Sequence, residues 1–213
     1  TTYPVRSLGT DRARILSGTI YEELERAKVK FFLQHEVLDV DQEEKGFAVK
    51  CIHGSSEIIV LRAPYVILAP GRSGSAWVAY LASKLGFETI QNPIDVGVRI
   101  ETKKETLRPL DRLGANSKIK LPWQETYLKT HCYCPGGFVI SYKLLFPGMA
   151  MKIVDGHKYY SEESQNSNIN LLIRLYPEKI VDPINYGTAF LKQMNLLGRG
   201  KPVLQRFGDF VGG

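Results

Sequence analysis

Tyr65-Val-Ile-Leu-Ala-Pro-Gly-Arg-Ser-Gly74 is the stretch whose reading decides the fold. Residues Tyr65–Ala69 are nearly all apolar, which predicts a short strand buried on both faces. The run stops abruptly in a glycine-rich turn. A strand and turn of this kind stand late in a dinucleotide-binding domain, downstream of a G-x-G-x-x-G turn. The 213 residues contain no G-x-G-x-x-G, and they begin at Thr1 without a Met. The expectation is the excised middle of a larger cofactor enzyme, carrying the second half of a site whose first half is elsewhere.

Upstream of this stretch, the pattern predicts a helix, a strand and a small meander. Thr10 suits an N-cap, and Asp11 places a negative charge in the first turn, where the helix dipole favours it. Ala13, Leu16, Ile20, Leu24 and Ala27 recur at steps of three and four, an apolar face for packing on a sheet. Glu22 and Arg26 make an i,i+4 pair on the exposed side. Val29–Leu33 reads as a strand. Glu36–Asp41, Phe47–Ile52 and Ile58–Leu61 follow as three antiparallel strands, with polar Gly-containing separators at 42–46 and 53–57.

Downstream, Ala76, Trp77, Tyr80, Leu81 and Leu85 predict a helix over Ser75–Leu85, closed by Gly86. Ile94, Val96, Val98 and Ile100 share one face of a strand over Ile94–Glu101. Residues 103–130 read as a charged loop with at most one short helix. His131–Tyr142 is a strand pair, or a strand broken at Pro135-Gly136-Gly137. Ala150–Val154 and Ile169–Tyr176 are strands, and the segment between them, His157–Asn168, is too polar for core. Asp182 and Pro183 open a last helix through Tyr186, Phe190 and Met194 to Gly198. The tail, Lys201–Gly213, shows no period.

A chain of this length, 44% hydrophobic, can bury a sizeable core. Charged residues make up 23% and aromatics are spread throughout, which excludes a disordered chain. The apolar runs fall far short of the roughly 20 residues needed to span a bilayer. No signal-peptide core is visible at the N-terminus. The three cysteines, Cys51, Cys132 and Cys134, do not make a disulfide framework and fit a reducing compartment. The expectation is a cytoplasmic protein with no membrane partner. The net charge is +6 and the pI about 9.1, but the basic residues are scattered, so nucleic acid is not the favoured partner.

Five segments carry a family resemblance. They are Gly9-Thr-Asp-Arg12, Leu68-Ala-Pro-Gly-Arg-Ser-Gly74, Asp95-Val-Gly-Val-Arg-Ile-Glu101, Cys132-Tyr-Cys-Pro-Gly-Gly-Phe-Val139 and Gln205-Arg-Phe-Gly-Asp-Phe210. In this order they resemble the bacterial FAD-dependent dehydrogenases, an uncharacterised NAD/FAD-utilising family related to the glutathione-reductase-type flavoproteins. The resemblance covers nearly the whole chain. It implies an α+β architecture, with a partial FAD-binding, Rossmann-like domain with its β-meander over 1–74. A mixed substrate-side domain covers 75–213, and the resemblance leaves open a return of its C-terminal residues toward the FAD domain. It implies FAD as cofactor, NAD(P) as a possible second one, and an oxidoreductase as the parent, with the chain alone inactive and a poor FAD binder.

The resemblance places Val37 where a backbone meets the adenine. It places Ala69 and Gly71 at the position of an Ala-Thr-Gly turn that lets the backbone approach the cofactor. Pro70 replaces the usual Thr, so a hydroxyl and an N–H donor are gone there. Cys132 and Cys134 are substrate-side candidates. At i,i+2 they share one strand face and read either as a redox pair, as half a metal site, or as small buried hydrophobes. No second ligand pair stands at zinc spacing, so no metal is expected. Gly136 and Gly137 read either as a close approach to flavin or substrate, or as a tight turn. Asn166 and Asn168 read as substrate-binding or as solvated loop. The four histidines form no triad with a nucleophile, and Ser73 and Ser75 do not form a nucleophile elbow. The catalytic residues and the substrate are not specified. The competing reading is a basic nucleic-acid-binding or interaction domain without catalysis.

Overall fold

The computed structural model describes residues 8–113, 118–146, 149–180 and 182–212. It is an α+β protein in which every strand pair among these residues is antiparallel. The chain forms two compact units, Tyr21–Ile90 and Thr1–Ile20 with Gln91–Gly213. The 74/75 boundary expected from the sequence falls inside the first of these.

Helix α1, Thr10–Arg26, begins in one unit and ends in the other. Its Glu22–Arg26 pair forms as expected, and Glu23 joins it. Val29 N–H reaches back to the Leu24 carbonyl, with Lys28 in the left-handed region at φ 60°. That six-to-one bond is a Schellman closure, which ends the helix at Arg26. None of the residues of α1 is buried. Its apolar stripe was expected against a sheet, and in this structure Leu16, Ile20 and Leu24 stay exposed.

The Tyr21–Ile90 unit holds the meander β1 (His35–Glu43), β2 (Gly46–His53) and β3 (Ile59–Ala63), paired in that order. Helix α2, Ser75–Lys84, lies along the edge strand β1. A bulge between Val37 and Asp39 accompanies a bond from Trp77 Nε1 to the Leu38 carbonyl, 3.1 Å. Lys84 Nζ bridges Asp39 and Asp41, and Val40, Ala48, Cys51, Leu81 and Ala82 form the unit's buried core. Gly86 closes α2 at φ 73°, with Phe87 N–H bonded to the Ala82 carbonyl.

Two expected strands are corrected here. Neither Val29–Leu33 nor Tyr65–Ala69 is a strand. The second was expected to be buried on both faces, yet Tyr65 is 86% and Ile67 92% exposed. The reason is pairing. A doubly buried strand needs a neighbour on each side, and among the described residues the meander strands pair with one another alone. The residues keep their apolar pattern and lack the partners that would turn it into a strand.

The larger unit is built on a four-stranded sheet. Its strands are β4 (Ile94–Lys103), β5 (Lys120–Trp123), β6 (Thr126–Cys134) and β9 (Asn166–Leu175), in the order β4-β9-β6-β5. A hairpin of β7 (Phe138–Phe146) and β8 (Met149–His157) stands beside it. Residues 103–130, expected as loop, contain β5, most of β6's first half, and a short helical stretch. That stretch comprises α3 (Lys104–Leu107) and a 3-10 turn, Arg108–Leu113. Leu110, Leu113 and Ile119 gather with Tyr133 and Ile169 on the apolar side of the sheet. Helix α4, Pro183–Leu197, is capped by Asp182, whose carboxylate accepts from Asn185 N–H as its position before Pro183 implies. Gly198 is its C-cap, as expected, and Arg199 follows at φ 50°. A short helix α5, Phe207–Gly212, occupies the tail read as aperiodic.

Candidate functional site

The register of the large sheet divides its side chains into two layers. Directly opposed residues share a face, and alternate residues return to it. Arg99 opposes Asn170, Glu101 opposes Asn168, and Asp95 opposes Arg174. His131 opposes Asn170 and Cys134 opposes Asn168. One face therefore collects Asp95, Arg99, Asn168, Asn170, Lys129 and His131. The other face is the apolar one, with Ile94, Val96, Ile100, Ile169 and Ile173.

Burial sets this polar layer apart from an ordinary solvated sheet face. Only 2% of the Arg99 side chain is exposed, and Asn168 is 0% exposed. Arg99 Nη1 donates to Asn168 Oδ1 at 2.7 Å and to the Cys132 carbonyl at 3.5 Å. Arg99 Nη2 donates to Asp155 Oδ1 at 2.7 Å. A buried guanidinium needs such a counter-charge and such acceptors. Gly156 is where the hairpin meets this pair: a Cβ there would collide with Arg99 Nη1 and Asn168 Oδ1. Nearby, Lys129 and Arg174 both bind the Asp95 carboxylate, holding its pKa below the ordinary range against the opposing effect of burial.

Among the described residues, three buried side-chain nitrogens have no hydrogen-bond partner within the protein: Arg99 Nε, His157 Nδ1 and Asn168 Nδ2. Sequence reasoning read 157–168 as too polar for core and Asn166 and Asn168 as substrate-binding or solvated. The structure corrects this: 166–168 open β9, and both Ser167 and Asn168 are fully buried. Asn166 is at the edge, donating to Glu101. Arg99, Asp155 and Ser167 were missed. The available signal was the alternation Asp95-x-Gly97-x-Arg99-x-Glu101, of which the apolar side alone was read.

The cysteines are placed differently from the expectation. A bulge between His131 and Cys134 adds one residue to β6, and Cys132 sits in it at φ 51°. The simple i,i+2 sharing of a face by Cys132 and Cys134 is lost there. Cys132 Sγ lies 2.8 Å from His131 Nδ1, and Cys134 Sγ donates to the Cys132 carbonyl at 3.5 Å. Burial pushes both thiols up, and burial followed by Lys118 and Lys129 pushes His131 down. The neutral thiol and neutral imidazole are therefore favoured, and a ready thiolate is not.

Gly136 and Gly137 form the turn that leads from β6 to β7. Gly136 has φ 61°, and Gly137 N–H bonds the Cys134 carbonyl. Gly136 N–H also donates to Ser167 Oγ. A Cβ at Gly137 would strike the His157 carbonyl oxygen and Cys134 Cβ. Internal packing accounts for both glycines. Among the described residues, no cluster of three or more His, Cys, Asp or Glu side chains could hold a metal. No helix there is long and apolar enough to cross a membrane.

The cofactor candidates lie in the other unit. Val37 is at the β1 bulge and exposed, and Ala69 is exposed. Gly71 has φ 70°, with no atom of the chain within 4 Å of where a Cβ would stand. That conformation suits glycine, and the open space admits a close approach by a ligand. Gly74, by contrast, is required by the Pro70 ring, which a Cβ would overlap.

Comparison with family models and with curated protein sequences returned no match.

Proposed function

We propose that this chain supplies the later elements of an FAD-binding domain and the substrate-side domain of an FAD-dependent oxidoreductase. The observation that carries the reading is the exposure of the two apolar segments flanking the meander. Phe32 and Leu33 in the first, and Tyr65, Ile67 and Leu68 in the second, are exposed. Burying each such side chain is worth about 1.5–3 kcal/mol, so these segments are strong candidates to become strands in a larger, Rossmann-like sheet. Gly71, open and at positive φ, then faces the cofactor at the end of one of them.

Val37, Ala69 and Gly71 would line the FAD, with backbone approach at Gly71 and no side-chain chemistry at Pro70. FAD would supply the hydride or electron transfer, with NAD(P)H as a possible partner. The pyrophosphate cradle, a glycine-rich turn at a helix N-terminus, is not among these residues. In this proposal it belongs to polypeptide that pairs with the exposed segments. The basic-module alternative calls for a sealed core, and the exposed apolar segments weigh against it.

The test is to express the chain together with its natural upstream coding sequence and to measure bound flavin by visible absorbance. One FAD per polypeptide is expected, with the 213 residues alone retaining little. A colourless extended protein that takes up no added FAD would contradict the proposal. A Gly71→Val variant of the extended protein should bind FAD at least about tenfold more weakly.

A further inference from the structure

We propose that residues 158–165, which join β8 to β9, are a strap across the turn from β6 to β7. It opens while the sheet stays paired, and its opening admits small solutes to the buried Cys134 thiol. Every residue concerned lies in the larger unit, so the inference stands whether or not the flavin reading does.

The strap is fastened at three places. At its start, Thr10 N–H donates to the Lys158 carbonyl at 2.9 Å. The Asp11 carboxylate accepts from Tyr160 N–H at 2.9 Å and from Ser161 N–H at 3.0 Å. The Arg12 guanidinium lies 3.0 Å from the centre of the Tyr160 ring. A Cβ at Gly9 would strike Asp11 and the Tyr160 nitrogen. The motif Gly9-Thr-Asp-Arg12 is thus the clasp of the strap. In the middle, Ser164 N–H donates to the Gly136 carbonyl at 2.7 Å, and the Glu163 side chain fills the space beside Gly136. At the end, Lys104 N–H donates to the Gln165 carbonyl at 3.0 Å, and the Lys104 side chain pairs with Glu163.

These fastenings are polar and lie at the surface. No residue of the strap is buried, and Tyr160 is 64% exposed. Tyr159 adds an edge-on contact to Phe138, 5.5 Å between ring centres. The neighbouring start of β9 is the opposite case: Ser167, Asn168 and Ile169 are all buried. A segment with so little buried apolar surface opens locally, well before the strands beside it. An exposed ion pair such as Lys104–Glu163 adds little resistance. Cys134 stands two residues before Gly136 and is buried, with Gly137 packed on its Cβ. Lys158, at the head of the strap, is among the charges that act on its thiol.

The experiment is alkylation of the native chain with iodoacetamide, with each cysteine followed by mass spectrometry. Hydrogen exchange of the paired β4 and β9 amides is measured in parallel. The double variant Asp11→Ala, Glu163→Ala should raise the Cys134 rate about tenfold or more, the effect of removing charge-assisted hydrogen bonds from the closed state. Exchange in β4 and β9 should stay unchanged. If the double variant fails to fold, Glu163→Ala alone carries the comparison, with a smaller rise in the same direction. An unchanged Cys134 rate in the folded variant would overturn the proposal. So would a rise matched by faster exchange in β4 and β9, which would assign it to loosening of the whole sheet.

Discussion

Gly156 matters because Arg99 and Asn168 occupy the space where its side chain would go. Gly156→Ala should therefore push that pair apart and lower stability by about 1–3 kcal/mol, the cost of a buried polar group losing its partner. Urea unfolding measures it. Gly18→Ala is the matching control, because Gly18 lies inside α1 with nothing near its Cβ position. It should gain about 0.5–1 kcal/mol from helix propensity. Two carboxyls give the residue scale a pH signature. Asp11 is held at about 2, first by the Tyr160 backbone N–H, and Asp41 at about 2 by Lys50 and then Lys84. Each binds its proton less tightly folded than unfolded, where the pKa is 3.8. Their contribution is thus complete well above pH 3.8 and is lost as pH falls toward 2. Denaturant unfolding from pH 6 to pH 2 should show stability falling through that window, and Asp41→Asn should flatten the fall. An equally steep fall in the variant would place the effect elsewhere.

At the scale of elements, the local signals in the sequence translated well wherever the partner was local. The meander formed at the expected places because its hairpin turns need only adjacent strands. Helices α2 and α4 formed because Gly86 and the Asp182-Pro183 pair act within one turn. Tyr65–Ala69 and Val29–Leu33 differ because a strand's fate depends on neighbours distant in sequence. The polar side of β4 went unread for a related reason. Alternation tells which residues share a face, and only the hairpin β7–β8 decides that this polar face is covered. The bulge at Cys132 was invisible because nothing in Cys-Tyr-Cys signals an added residue. A further prediction belongs at this scale. A Cβ at Gly97 would collide with the Leu171 carbonyl and the Leu172 backbone, so β4 and β9 approach closely there. Gly97→Ala should force the strands apart and destabilise by about 1–3 kcal/mol. Hydrogen exchange along β4 and β9 should quicken in that variant while the meander's exchange stays unchanged.

For the molecule as a whole, two units carry two different chemical surfaces. The smaller presents apolar segments and an open glycine turn, which support the flavin proposal. The larger holds a buried charged layer around Arg99, paired with Asp155 and Asn168. The candidate residues on the cofactor side, Val37, Ala69 and Gly71, come from the resemblance and the Tyr65–Gly74 pattern, and they enter the account as part of the flavin proposal. The Arg99 layer was not legible in the sequence, because its members come from β4, β8 and β9 and meet only in three dimensions. The central claim of the flavin proposal is that Tyr65–Ala69 and Val29–Leu33 become strands when paired with further polypeptide. Amide hydrogen exchange tests it most directly, comparing the 213-residue chain with the FAD-loaded polypeptide that includes the upstream coding sequence. The account predicts fast exchange at both segments in the chain alone and protection of at least about a hundredfold in the loaded protein, matching the slow exchange of paired core strands. Equally fast exchange at Tyr65–Ala69 in both would contradict it.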